Sequence, residues 1–169
     1  MSGVAWSFTG TQRGMTREQR VTLATLLDLP GGTGHILHHG DCVGADAQAD
    51  AIVKSLQAWL GCQLHPSDIE DKRAHCATVP ALPPHPPLPP LKRNPNIVTG
   101  GTLRIAPPEQ YAAQLRSGTW MTIRCGRRAL RPVVIVQPNG SLRVEKPGQA
   151  ATFAWVGEPE ALRQLPRVE

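Results

Sequence analysis

Apolar positions along the chain fall into short blocks of two alternating patterns. Residues 4–9 (VAWSFT) form an apolar run that ends at Gly10 and reads as a buried strand. Thr16 then opens a helix, with Gln19 three residues on as in a capping box. Val21, Leu23, Ala24, Leu26 and Leu27 follow at helical spacing, and Pro30-Gly31-Gly32 stops the run. The same reasoning predicts a strand over 35–39 (HILHH), a helix from Ala45 to Leu60, a short strand over 62–65 (CQLH), and a short helix from Pro66 through Lys72 to Cys76. Residues 79–91 (VPALPPHPPLPPL) hold seven prolines, so they can be neither helix nor central strand. A short helix over 93–98, a strand over 102–106 (TLRIA), a helix from about Trp120 to Leu130 and the clearest strand, 132–136 (PVVIV), follow. Pro138-Asn139-Gly140 is a turn that folds 142–145 (LRVE) back as a hairpin. Residues 146–169 are weakly patterned and read as a C-terminal extension.

Strand and helix alternate, and several strands are continuous apolar runs. That pattern predicts an α/β fold with a mainly parallel sheet, helices on both faces and a C-terminal hairpin. The 169 residues, 40% of them apolar, suit one domain, here 1–145 with 79–91 as a proline-rich insert. Basic residues exceed acidic ones by 18 − 13 = 5, which fits an anionic partner without choosing between a small phosphorylated molecule and a nucleic acid. Arg dominates the basic residues, and its planar fork suits phosphate. Cys42, Cys62, Cys76 and Cys125 form no CxxC pair and read as small thiols. No apolar run approaches membrane-spanning length and no signal peptide opens the chain, so no membrane partner and a cytoplasmic location are expected.

In parallel sheets, ligands bind beyond the carboxyl ends of the strands, so the turns after strands carry the information. Three stand out: TGTQRGMT (9–16), HGDCVGAD (39–46) and RSGTWMT (116–122). Each places glycine and hydroxyl or acidic residues at a helix start, where free N–H groups and a partial positive charge hold phosphate.

On FTGTQRGMT (8–16), HHGDCVGAD (38–46), the His65-Pro66 pair, KRNPNIV (92–98) and RSGTWMTIRCGRRALRPVVIV (116–136), the chain resembles the SLOG superfamily. This is the Rossmann-like group that includes the Lonely guy phosphoribohydrolases and DNA-processing protein A. The resemblance runs in order from about residue 4 to 140 and is nearest to small stand-alone bacterial and phage members. It implies a Rossmann-like fold, a nucleotide or nucleotide-derived ligand, and a homodimer, since such proteins often pair. It also implies ligand contacts near Gly10, Thr11 and Arg13, near Gly40, Gly44 and Ala45, at Arg93 and Asn94, and at Ser117, Gly118 and Thr119. Arg93 matches an arginine that precedes the Lonely guy glycine loop and could clamp phosphate through two N–H groups. One departure is plain: the catalytic glutamate of the PGGxGTxxE motif is replaced by Thr122.

Asp41 and Asp46 are the carboxylates left to do acid–base work, with Asp41 also suited to bracing its turn and Asp46 to a cap or a ribose hydroxyl. His38, His39, Asp41 and Cys42 have the right atoms for zinc, but strand neighbours point to opposite faces, so no metal is expected. One of the two histidines is expected to pack under the sheet and the other to line the pocket. Arg124, Arg127, Arg128 and Arg131 form one helical stripe, read as a solvated face or a nucleic-acid surface. Trp120 beside Gly118 is a candidate to stack on a base. Residues 87–92 (PLPPLK) match a PxxPxK docking pattern, although a rigid loop beside the pocket is the better reading.

The reading is a binding protein for a nucleotide derivative, a sensor or sequestering agent, with no cofactor. The alternatives are an N-glycosidase acting on a nucleoside monophosphate and a single-stranded nucleic-acid-binding module.

Overall fold

In a computed structural model, residues 3–154 are described, and their apolar strands assemble into one seven-stranded sheet of order β3-β2-β1-β4-β5-β6-β7. β1 (Ala5–Phe8), β2 (His35–His39), β3 (Trp59–Leu64), β4 (Leu103–Ala106) and β5 (Val133–Val136) are parallel. β6 (Leu142–Glu145) and β7 (Thr152–Ala154) close the edge antiparallel. α1 (Arg17–Leu27) and α2 (Ala45–Ser55) cover one face, where Trp6, Phe8, Leu23, Leu37 and Ile105 share the larger core. α4 (Gly118–Arg128) covers the other face, where Trp120 and Ile123 pack on Val133 and Ile135. α3 (Pro90–Gly100) lies beside it and ties to β1 through Ser7, whose hydroxyl donates to the Ile97 carbonyl at 2.6 Å. This is the α/β, Rossmann-like architecture that the alternating pattern predicts. Winding runs outward from β1 in one direction and from β4 in the other, so these two strands flank the switch point where such folds open a crevice.

The capping box of α1 is present: Thr16 Oγ1 accepts from Gln19 N–H, and Gln19 Oε1 accepts from Thr16 N–H. Elsewhere tertiary packing redraws the boundaries. The helix expected to run to Leu60 stops at Ser55, because Trp59 is drawn into β3. Its indole packs edge-on against Trp6 at 5.7 Å and donates to the Leu27 carbonyl at 2.7 Å. The helix expected over 66–76 reduces to a single 3₁₀ turn, Glu70–Lys72. Backbone bonds from Val43 N–H to Lys72 and from Ala74 N–H to Asp41 hold the flanking chain extended.

The helix expected over 93–98 begins earlier, inside the proline run, since Pro90 at the first helical position gives up an N–H that would have no partner there. Pro90 and Lys92 of the PxxPxK pattern are therefore helical and not part of an extended ligand strand. α4 begins two residues before Trp120, capped by Ser117. β7 was not signalled by the weak pattern after 146, and residues 155–169, with Trp155, lie outside the described residues. No helix among the described residues is long and apolar enough to cross a membrane.

Candidate functional site

The first two loops are locked together before any ligand is considered. A Cβ at Gly10 would lie 2.3 Å from the Ala45 Cβ, and one at Gly44 would lie 2.3 Å from the Gln12 carbonyl oxygen. Gly44 also has φ +86°, so glycine is required there on two counts. This close approach lets Ala45 N–H donate to the Thr11 carbonyl at 3.0 Å. The α2 start is thus sealed by protein at its first amide. Gly40, Gly44 and Ala45 build the frame of the site and do not line the cavity described next.

That cavity, about 460 Å³, lies at the carboxyl ends of β1 and β4. Of the residues expected from sequence, Gly10, Thr11 and Arg13 line it from the first loop, Arg93 and Asn94 from α3, and Ser117 to Trp120 from the third. Asp46 lines it from α2, whereas Asp41 does not. Asp41 sits in the left-handed region at φ +54° and turns to the 73–76 segment. Its Oδ1 accepts from Cys76 N–H at 2.9 Å, and its Oδ2 faces Arg73 Nε at 3.5 Å. Bracing is its role, and acid–base work on a cavity ligand is out of its reach.

Asp46 is placed differently. Its Oδ2 accepts from the N–H groups of Gly40 at 3.0 Å and Cys42 at 3.2 Å. Its Oδ1 is buried and has no partner among the described residues. Burial pushes the Asp46 carboxyl above the usual carboxylate range, against the pull of His39, Arg93 and the two amides. Cys42 also borders the cavity; burial and the nearby Asp46 hold its thiol in the protonated form, which is a poor nucleophile.

Arg93 is buried and mostly committed. Nη1 donates to the Gly40 carbonyl at 2.6 Å and the His65 carbonyl at 3.3 Å, and Nε donates to Asn94 Oδ1 at 3.2 Å. Only Nη2 has no partner among the described residues. The expected clamp through two nitrogens is therefore reduced to one free nitrogen, Nη2, with its two N–H groups.

The third loop carries the open helix start. Ser117 Oγ accepts from Trp120 N–H at 3.3 Å, and Ser117 O accepts from Met121 N–H at 2.9 Å. The amides of Gly118 and Thr119 have no partner among the described residues, and the space where a Gly118 Cβ would sit is open. Trp120 borders this opening but is only 3% exposed, wedged against Ile123, Val133 and Ile135. It is a core residue and not a free stacking surface. Thr122, in the place of the missing glutamate, is buried and donates to the Gly118 carbonyl at 3.0 Å.

Four cations, Arg13, Lys72, Arg93 and Arg116, line the cavity against two acids, Asp46 and Glu109. Arg13 and Glu109 pair at 2.8 Å on the exposed side, joining the first loop to the 107–117 loop. Arg116 was not among the residues expected from sequence, although it opens the third turn directly before Ser117. Nor was Lys72, because the 43–72 backbone bond that delivers it has no local sequence signal.

The histidines do not line the cavity. His39 Nδ1 accepts from Asp41 N–H at 3.1 Å, which puts the ring proton on Nε2, facing Asp50 Oδ1 at 3.4 Å. Asp50 also pairs with Lys54. His39, Asp50 and Cys76 bring possible ligand atoms within 4.8 Å of one another, but a metal on Nε2 would force the proton onto Nδ1, against the Asp41 N–H. The donor set fits an ion-pair network better than an ion. His38 faces the opposite side, with Nδ1 3.0 Å from His65 Nε2, and His65 stacks on His85 at 4.4 Å.

Comparison of the chain with models of known families, with curated proteins and with solved structures finds no match.

Proposed function

We propose that this protein binds a nucleotide-type ligand in the cavity between the three loops, as a sensor or sequestering protein. One arrangement carries the reading. Two amides at the start of α4 without partners among the described residues, next to Arg116, offer an anion site, while Asp46, which borders the same cavity, keeps a buried carboxyl oxygen, Oδ1, without a partner among the described residues. A ligand joining a phosphate to a sugar meets both needs. The volume is within the range of about 300–1,000 Å³ usual for small-molecule sites. The resemblance of the loops to the SLOG superfamily points the same way. Calorimetry with nucleoside mono- and diphosphates, cyclic nucleotides and ADP-ribose should find a ligand, with affinity falling at least tenfold in Asp46→Asn or Arg116→Gln. A folded protein that binds none of them overturns the reading.

A second reading, N-glycoside hydrolysis, is favoured by Asp46 alone. A buried carboxyl held above its ordinary pKa is suited to move a proton or to stabilise a cationic sugar centre. Release of free base from a nucleoside monophosphate, abolished in Asp46→Asn, is its expected signature. A broad panel of nucleotides recovered intact after long incubation excludes it.

A further inference from the structure

Lys72 is the cation of the cavity that the fold itself does not use. Val43 N–H donates to the Lys72 carbonyl at 2.9 Å, and Lys72 N–H donates to the Ile69 carbonyl at 3.1 Å. The next residue, Arg73, forms an isolated antiparallel bridge with Cys42. The backbone around Lys72 is therefore held on both sides. Arg73 turns away to Asp41 and Glu70. Lys72 is half-buried, lines the cavity and has no acidic partner among the described residues. An ammonium held there without a counter-charge loses hydration that a ligand anion can replace.

Arg93 meets it from α3. Cys42 joins the two, because its Sγ lies 3.4 Å from Arg93 Nη1 and its backbone pairs with the residue after Lys72. Arg93 borders the same cavity and keeps Nη2 without a partner among the described residues. These donors stand on the β2 side. The Gly118 and Thr119 amides, with Arg116, stand on the β4 side, and β1 runs between. β2 and β4 are two strand spacings, roughly 10 Å, apart. A single phosphoryl group seated on the α4 amides leaves Lys72 unmatched. The acids of the cavity do not match it either. Glu109 is taken by Arg13, and Asp46 Oδ2 accepts from the Gly40 and Cys42 amides. Burial pushes the Asp46 carboxyl toward its neutral form, which lowers the negative charge that an anion meets on this side.

On the nucleotide reading given above, we infer that the ligand carries two phosphoryl groups, one at the start of α4 and the other on Lys72 and the free nitrogen of Arg93. A terminal phosphate brings up to about two negative charges and three acceptor oxygens, enough to engage an ammonium and a guanidinium together. Two sources share this chemistry. In a nucleoside 5′-diphosphate the second group adjoins the first, and in a 3′,5′-bisphosphate it stands on the other side of the sugar.

The test is calorimetry on the full chain at constant ionic strength. The ligands are the 5′-monophosphate, 5′-diphosphate and 3′,5′-bisphosphate of each of the four ribonucleosides. A two-phosphate ligand should bind about tenfold more tightly than the monophosphate of the same base, the worth of one charge-assisted contact. Lys72→Gln should erase that advantage and leave the monophosphate affinity within about twofold of wild type, whereas Lys72→Arg should keep it. Arg116→Gln should weaken all three ligands alike. Lys146 lies in a separate basic cavity of about 400 Å³ at the C-terminal end of α4, shared with Arg127, Arg131 and Arg143. Lys146→Gln removes the same charge away from the site and should change no affinity. An advantage confined to the diphosphate, or to the bisphosphate, says which source fits. A monophosphate that binds as tightly as both two-phosphate ligands overturns the inference and leaves the nucleotide reading standing. So does an advantage that survives Lys72→Gln, or one that Lys146→Gln erases equally. A folded protein that binds none of the ligands overturns both.

Discussion

A methyl group at position 40 would sit 2.5 Å from Arg93 Nη1 and 3.0 Å from Asp46 Oδ2. Gly40 is thus the meeting point of the two buried charges at the cavity. It gives its N–H to Asp46 and its carbonyl to Arg93. Gly40→Ala should lower stability by about 1–3 kcal/mol, the usual cost of forcing atoms into a packed site. The midpoint of urea denaturation reports it, and a midpoint equal to wild type would show that Arg93 is free to shift. At this scale the sequence marks Gly40 as a turn glycine but cannot name its reason, since Arg93 lies 53 positions away. Asp46 was legible as a candidate because it opens a helix after a glycine turn. Asp41 has the same credentials, and only its left-handed backbone and its bond to Cys76 separate the two.

Among the elements, the proline-rich segment is the one whose behaviour differs most from its composition. It lies as a strap along the end of β3. His85 N–H donates to the Leu64 carbonyl at 3.0 Å, Leu88 N–H to the Pro66 carbonyl at 3.1 Å, and Leu82 is buried. Its His85 completes the stack on His65 and His38. Burial, with repulsion from His85 added, pulls His38 down to about 4 and His65 down to about 3. Unfolded, both would titrate near 6.5, so the unfolded chain binds more protons below that pH. Stability is therefore full above about 6.5 and is lost as the pH falls toward the folded values. Between pH 7 and 5 the two histidines should lower the melting temperature by roughly 5 °C, and His65→Gln should flatten the drop. An unchanged pH profile in that variant would remove the stack as the cause. Period and capping made α1, β1, β2 and β5 legible. They could not reveal that a proline would begin α3, or that Trp59 would choose a strand.

For the molecule as a whole, the topology was legible because hydrophobic runs and helical stripes alternate in the order that a parallel sheet demands. What was not legible is how its net charge of +5 is distributed. One basic cavity sits at each end of α4, and the arginine stripe expected to be a single surface divides. Arg124 holds the carbonyls of Gln114 and Leu115, Arg127 holds Glu145, and Arg131 stands over Gly126. A phosphorylated ligand drawn to four cations and two acids should bind roughly tenfold more weakly when salt rises from about 0.05 M to about 0.5 M. Salt-independent calorimetry would place the binding energy in uncharged contacts instead.

The contact between Gly10 and Ala45 has a kinetic meaning. The Ala45 methyl lies against Gly10, and the Ala45 N–H to Thr11 carbonyl bond ties the same two loops, so parting them to admit the proposed ligand would break both contacts. Traffic through the cavity is left to the 107–117 loop, which is fastened by Arg13–Glu109 at one side and by Arg124 at the other. If the proposed ligand binds there, its residence time should follow how often that fastening slips. Glu109→Gln should shorten it in stopped-flow dissociation while leaving the folded core, and the temperature at which it melts, as they were.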